Sequence, residues 1–400
     1  MQRAHAVLSV GQDGSLYCRR FTQHSPSPPF IIVMEPEAVI GSTGYGTMHP
    51  GSFSHEDSMK TIHSPLHALH DGGMELHRGE LVPCFEMPAR VDHILAAIAR
   101  TGWAVEAPRE YDDAVLARVH DADYLAFLRG AYAEWQAEGR DGFMLPGAFP
   151  ARGMRRDRVP AGLHARLGYY AFDAGSPIVQ GTWQAARASA FCALTAADLV
   201  AAGERSAYAL CRPPGHHAGR AMFGGYCFLN NAALAAQRLR DASLARVAVL
   251  DVDYHHGNGT QDIFRERDDV LFVSIHGDPD TEYPFYLGYA DERGAGAGEG
   301  YNHNFPLPRG TDWARYAETL ERALGLVADY APQALVVSLG VDIFEGDPIS
   351  QFRLGVGDFP RLGARIAALG LPTVLVQEGG YAVAGIGDNV VGVLAAFAGP

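Results

Sequence analysis

Two short stretches carry the residue types that hydrolytic chemistry needs. The first is DVDYHHGNGT (251–260), which follows the apolar run VAVL (247–250). A β-strand turns every second residue to the same side. Asp251, Asp253 and His255 are therefore expected together at a strand's end. Buried carboxylates are costly unless compensated, and a divalent cation compensates all of them at once. A solvated acidic turn is the competing reading, and clustered buried charge makes it the poorer one. The second stretch is CRPPGHHA (211–218), after SAYAL (206–210). Pro213 and Pro214 stiffen this turn and Gly215 releases it, presenting His216 and His217. Histidine is the side chain whose ordinary pKa lies near neutrality, so the pair suits general acid–base work. Adjacent histidines alone are usually a surface or core feature; their company gives them weight.

Three more apolar runs end in the same manner. VLFVSI leads into His276-Gly277-Asp278-Pro279, ALVVSLG into Val341-Asp342, and TVLVQ into Glu378-Gly379-Gly380-Tyr381. Five strands thus deliver polar residues at their C-terminal ends, the edge where open parallel α/β sheets build their sites. Helical patterns alternate with these runs. ARVDHILAAIARTG (89–102) places Val91, Ile94, Leu95 and Ile98 on one face, with Gly102 as a stop. DADYLAFLRGAYAEWQAEG (121–139) and GTWQAARASAFCALTAADLVAAG (181–203) are further helices, and residues 140–162 read as a long loop. Arg152, Arg155, Arg156 and Arg158 within it read as a solvated face. RGAGAGEG (293–300) lacks the Gly-Lys-Ser/Thr of a phosphate-binding loop and reads as a turn.

Composition narrows the class. The chain has 400 residues, 48% hydrophobic and 20% charged, which suits a globular protein with a large core. No apolar run approaches the roughly 18 residues of a membrane helix, and the first 20 residues lack the apolar core of a secretory signal. Five scattered cysteines (18, 84, 192, 211, 227) read as reduced thiols of a cytoplasmic protein, with Cys211 packing as a small hydrophobe. A net charge of −14 argues against nucleic acid and accords with a cationic substrate. Residues 1–58 have turn-rich composition (SPSPPF, GSTGYG, HPGSFSHED), with one strand-like run, FIIVM (30–34). They read as an N-terminal extension, poorly ordered or foreign to the natural product, ahead of a single domain over 59–400.

CRPPGHH, DVDYHHGNGTQDIF, SIHGDP, SLGVDIFEGDP and EGGY resemble, in order and spacing, the histone deacetylase superfamily of zinc amidohydrolases, and within it the bacterial acetylpolyamine amidohydrolases. GGMELHRGELVPCFEMPAR (72–90), MFGGYCFLNNAALAAQRL (222–239) and ISQFRLG (349–355) also fit, and the likeness runs from about Met59 onward. The resemblance implies a single-domain arginase/deacetylase-like α/β fold, with a central, mainly parallel eight-stranded sheet and helices on both faces. It implies Zn²⁺ on Asp253, His255 and Asp342, one ion per protomer. It makes His216 the acceptor of the attacking water's proton and His217 the donor to the leaving amine, although the sequence does not settle how the two share these jobs. Asp251 would stand behind His216, and Asn258 behind His217. Tyr381 would donate to the oxyanion, with Gly379 and Gly380 freeing its loop. Structural K⁺ would use Asp251, Asp253, the His255 carbonyl, Ser274 and Ile275, and a second monovalent site Phe264, Arg267, Val270 and Tyr301.

The resemblance also assigns the tunnel. Tyr226, Tyr283 and Ile349 would wall it, Gly379 would contact the substrate, and Glu75 would face the substrate's amine. Two further acidic positions of polyamine-specific relatives read here as His164 and Gly175, which weakens the acidic mouth. The implied activity is deacetylation of acetylputrescine, acetylcadaverine or acetylspermidine by a homodimer. The alternatives are an acetyl-lysine deacetylase or metabolite deacylase on the same scaffold, a manganese ureohydrolase, and an inactive binding protein. The ureohydrolase would need more bridging carboxylates, and the complete catalytic set speaks against the inactive protein.

Overall fold

The central strands are apolar almost throughout because both of their faces are covered. Along Val247–Asp251 and Ala334–Leu339 successive side chains alternate between two cores: Val247, Val249, Ala334 and Val336 join one, and Ala248, Leu250, Leu335 and Val337 the other. Sheets buried on both sides read as continuous hydrophobic runs, as these do. The computed structural model describes residues 59–398, with two further strands, His5–Val10 and Leu16–Phe21.

Eight strands form one parallel sheet. Its order across the sheet is Asn302–Leu307, Val270–Gly277, Val247–Asp251, Ala334–Leu339, Thr373–Gln377, Ser206–Ala209, Lys60–Ile62 and Ala104–Glu106. Helices Ala122–Ala137, Thr182–Ala201 and Asn231–Asp241 cover one face. Helices Ala89–Thr101, Trp313–Tyr330, Asp358–Ala367 and Val383–Leu394 cover the other. The first of these buries Val91, Ile94 and Ile98 and ends on Gly102 at φ 76°, the left-handed C-cap that glycine supplies. This is the α/β architecture the motifs imply. Among the described residues no helix is long and apolar enough to cross a membrane.

Chain order reverses beside Val247–Asp251. The next strand, Val270–Gly277, pairs on one side of it, and Ala334–Leu339 on the other. Such a switch point leaves a crevice at the C-terminal ends of the strands. An antiparallel ribbon, Met74–His77 with Glu80–Pro83, stands apart from the sheet.

Two sequence expectations are refined. A helix, Leu163–Tyr170, follows the long loop and was not foreseen. Nearer the N-terminus, His5–Val10 and Leu16–Phe21 pair antiparallel, where composition suggested only coil. The remaining expectations for residues 1–58, including a strand at 30–34, lie outside the described residues.

Candidate active site

The strand Val247–Asp251 ends at its first carboxylate, so strand periodicity does not align Asp253 and His255. The chain is turned by its own side chains instead. Asp251 Oδ1 accepts from the Asp253 N–H at 3.1 Å, and Asp253 Oδ1 from the His255 N–H at 2.9 Å. These are the backbone bonds that short carboxylates make in turns. Asp342 arrives from the neighbouring strand and accepts the Tyr254 N–H at 2.8 Å. The ligand atoms of Asp253, His255 and Asp342 lie within 4.8 Å of one another, all buried. His255 Nδ1 stands 2.9 Å from Asp342 Oδ2 and 3.3 Å from Asp253 Oδ1.

The electrostatics describe a site short of positive charge. Burial, then Asp253, push the Asp342 carboxyl up to about 7. Burial would lower His255, yet its bonds to Asp253 and Asp342 hold it up at about 10. Two buried carboxylates and one imidazole are oxygen and nitrogen donors that suit a divalent metal and leave coordination positions open. The residues present fit such an ion.

Beside this cluster His216 Nδ1 donates to Asp251 Oδ2 at 3.0 Å, and His217 Nδ1 to Asn258 Oδ1 at 2.7 Å. The rings lie 4.0 Å apart between centroids. Their environments push them in opposite directions. Burial, then the neighbouring His216 and His255, drive His217 well below its ordinary value. For His216 burial is outweighed by Asp253 and Asp251, which raise it to about 10. Glu378 fixes the turn beneath both: its Oε2 accepts the N–H groups of Gly215 at 2.6 Å and His216 at 3.1 Å.

A cavity of about 370 Å³ runs from this floor to the surface. His217, His255 and Tyr381 face it at the bottom, Tyr226, Tyr283 and Ile349 along the sides, and Glu75, Asp173 and Gly175 towards the mouth. His216 is not among its walls. A larger depression, about 660 Å³, is bordered by Arg246, Asp269 and Tyr301, but Asp269 is ion-paired with Arg240 and Arg267 and no acid–base pair converges there. Tyr381 is held from three sides. Its N–H donates to Asp347 Oδ2 at 2.7 Å, the Tyr226 ring lies 5.6 Å away, and the Arg90 guanidinium 4.9 Å from its ring. Arg90, buried and paired with Glu86, also donates to the carbonyls of Gly380 at 2.7 Å and Glu378 at 2.6 Å. Gly380 has φ 122°, so glycine is required there.

Gly379 departs from its expected substrate contact. Its N–H donates to Asp253 Oδ2 at 2.8 Å, and a Cβ there would sit 2.5 Å from both Asp253 Oδ2 and Asp342 Oδ2. It is a close-packing residue of the carboxylate cluster and is not a wall of the cavity. His164 is also outside the cavity, exposed and 3.1 Å from Glu138 Oε2. Glu75 is buried, and accepts from the Tyr226 hydroxyl at 2.8 Å and the Phe85 N–H at 3.2 Å. Burial lifts its carboxyl to about 7 against those two bonds.

Of the residues named for K⁺, Asp251 and Ser274 are register partners on neighbouring strands. His276 Nε2 donates to the Gly288 carbonyl, so its Nδ1 accepts the Ser274 hydroxyl proton at 2.8 Å and leaves the Ser274 oxygen's lone pairs free. At the second monovalent set, the carbonyls of Phe264 and Tyr301 each already accept one backbone N–H, from Arg267 and Phe272.

Sequence reasoning missed Asp173, Asp347 and the Arg90–Glu86–Arg212 group. Glu86, Arg90, Arg212 and Asp347 lie inside the motifs quoted for the resemblance, but no role was attached to them; Asp173 lies in none. Glu378 was visible only as the first residue of EGGY.

A buried carboxylate–imidazole cluster at the switch point of a parallel sheet, at the bottom of a tunnel with an acid–base pair, defines a metal-dependent hydrolase. The sequence matches the family described as the histone deacetylase domain over residues 84–397, and the chain belongs to that family. It is 57% identical over 343 residues, 85% of this chain and 99% of the relative, to acetylpolyamine amidohydrolase 1 of Pseudomonas aeruginosa. It is 50% identical over 342 residues, 85% of this chain and all of the relative, to the acetylpolyamine amidohydrolase of Mycoplana ramosa. The crystal structure of the acetylpolyamine aminohydrolase from Burkholderia pseudomallei superposes with a TM-score of 0.81 at 44% identity, covering 85% of this chain and 98% of that one. The protein is a hydrolase of amide bonds, and its family implies a metal cofactor.

Proposed function

We propose that the chain removes the acetyl group from N-acetylated polyamines, such as acetylputrescine, acetylcadaverine and acetylspermidine, releasing acetate and the free amine. The observation that carries this reading is one narrow cavity with His217, His255 and Tyr381 at its floor and the buried Glu75 near its mouth. The relatives bearing polyamine names support it.

Asp253, His255 and Asp342 would hold one Zn²⁺ per protomer. Zinc bound there supplies polarisation of the amide carbonyl and lowers a bound water's pKa from 15.7 to about 7. Tyr381 donates its hydroxyl to the carbonyl oxygen as charge develops on it. The proton work falls to the ring that reaches the cavity. That is His217: its Nδ1–H is committed to Asn258, which leaves Nε2 to take the proton of the attacking water and return it to the leaving amine. Asn258 is an amide and does not stabilise imidazolium as a carboxylate would, so the proton stays transferable. His216, fixed by Asp251 outside the cavity, contributes charge. The resemblance shared the two proton transfers between His216 and His217; here His217 carries both. K⁺ at Asp251, Asp253, His255, Ser274 and Ile275 would brace the floor from beneath. We further propose a cytoplasmic homodimer in which residues 1–58 are an extension that catalysis does not require.

Deacylation of acetyl-lysine is the second reading. The absence of an acid at Gly175 favours it, as does Arg78 beside the same cavity, which would receive a carboxylate or peptide carbonyl. Relative turnover decides between them. The polyamine reading expects kcat/KM for acetylputrescine or acetylcadaverine to exceed that for acetyl-lysine peptides, and the reverse order overturns it.

A further inference from the structure

Asp173 has no part in the chemistry above, yet it touches more of the tunnel than any other carboxylate there. Its Oδ2 accepts the N–H of Gly225 and the hydroxyl of Tyr283, each at 2.7 Å. Its Oδ1 accepts the hydroxyl of Ser176 at 3.2 Å and the N–H of Gly175 at 3.1 Å. The Ser176 oxygen in turn accepts the N–H of Tyr226 at 2.8 Å. One carboxylate therefore reaches both aromatic walls, Tyr283 directly and Tyr226 through Ser176.

Those walls need a fixture. Tyr226 sits at φ 65°, a left-handed conformation that a non-glycine residue keeps only when its surroundings hold it. Gly225 before it, at φ 54°, packs so closely on His217 that a Cβ would lie 2.2 Å from the ring's Cδ2. Tyr283 lies edge-on to His217 at 5.3 Å and stacks on Phe172 at 5.9 Å. A carboxylate has about four acceptor sites, and four donors occupy those of Asp173. It has no capacity left for a substrate ammonium, unlike Glu75 with its two protein donors.

We propose that Asp173 is a positioning residue that assembles the substrate tunnel, holding Tyr226 and Tyr283 at the spacing that grips the chain between the amide and the distal amine. This rests on the proposed function only in taking the cavity to be the substrate tunnel. In Asp173→Asn the shape is kept, but one arm presents N–H groups to former donors, so part of the fixture is lost.

The test compares a tunnel-filling substrate with N-methylacetamide, which ends before the walls. The long substrate is whichever acetyl amide the wild type turns over best, so an error over polyamines appears in the wild type and leaves this test intact. Asp173→Asn should raise KM for the long substrate roughly tenfold, with kcat within about threefold and the short substrate unaffected. Metal content and Tm should stay near wild type. Tyr283→Phe and Ser176→Ala cut one arm each, and each should raise KM by less. Asp173→Asn on the Tyr283→Phe background should cost less than on wild type, because the two share an interaction. Equal losses on long and short substrates, or a fall in kcat at unchanged KM, overturn the proposal. If Asp173→Asn does not fold, unchanged KM in both single-arm variants overturns it equally.

Discussion

At the floor of the cavity Asp251, Asp253 and Asp342 are fully buried at the ends of two adjacent strands, and backbone N–H groups hold them in place. At the mouth Glu75 is also buried, but it belongs to a two-stranded ribbon outside the sheet and is held by one tyrosine hydroxyl and one N–H. The floor's geometry comes from two strand ends and from the backbone N–H groups that fix each carboxylate just beyond them, so its parts support one another. The mouth's geometry comes from loops and side chains, which can be exchanged singly. The floor therefore governs whether hydrolysis occurs, and the mouth governs which amine is preferred.

The largest effect should come from the floor. Asp342→Ala should lose bound zinc by elemental analysis and fall to background turnover, because it removes one of three converging ligands. Full zinc occupancy in that variant would break the ligand assignment. Gly379→Ala should come next, since the new methyl would press on both Asp253 and Asp342. Distorting a ligand's support typically costs about 10–100-fold in metal affinity, to be read by competition with a chelator. Unchanged affinity would return Gly379 to a substrate role. Tyr381→Phe should keep metal and fold and lose roughly 10²–10³ in kcat, the usual cost of one oxyanion donor. Near-normal kcat on an unactivated acetyl amide would end that role.

The same contrast explains what could be read from sequence. Five apolar runs ending in DVD, GHH, HGDP, VD and EGGY placed the strands and the metal cluster, because a strand buried on both faces writes itself as an uninterrupted apolar word. The turn after Asp251 was located correctly, but its cause was not: side-chain bonds to the backbone orient Asp253 and His255. The mouth was legible in outline only. Glu75, Tyr226 and Tyr283 came from the resemblance and do line the cavity, whereas His164 turns away to Glu138. Asp173, within FDAGSP, reads as an ordinary turn aspartate. Two of its partners, Gly225 and Tyr283, are 52 and 110 residues distant in sequence, and no local pattern announces them. Arg90 and Glu86 lie about 290 residues from the EGGY turn that Arg90 braces; helical periodicity puts Arg90 on the buried face with Ile94 and Ala97 but does not say what a buried arginine pairs with.

A chain beginning at Met59 should bind zinc and turn over substrate like the full-length chain. All the site residues lie beyond residue 59, and so does the residue range of the family match, 84–397. Loss of folding or activity on truncation would make the N-terminal segment part of the enzyme.

The smallest effect belongs to the mouth and depends on pH. Glu75 has its carboxyl lifted to about 7, first by burial, against the bonds from Tyr226 and Phe85, with Asp173 and Glu86 adding repulsion. An acid so raised is mostly neutral at pH 6 and mostly ionised at pH 8. A cationic amine is attracted only to the ionised form, so its advantage should grow as pH rises through about 7. Groups at the floor act on every substrate alike. Dividing kcat/KM for N-acetylcadaverine by that for neutral N-pentylacetamide removes their contribution. That ratio should climb from pH 6 to pH 8 in the wild type and stay flat in Glu75→Gln. Charge-assisted hydrogen bonds contribute about 1.5–3 kcal/mol, and the missing acid at Gly175 places this one near the low end, roughly tenfold at pH 8. Raised salt should shrink the ratio if the bound ammonium remains near solvent. A ratio that is flat with pH in the wild type, or equally large in Glu75→Gln, would mean that the mouth selects by shape alone, and the acetyl-lysine reading would then move ahead.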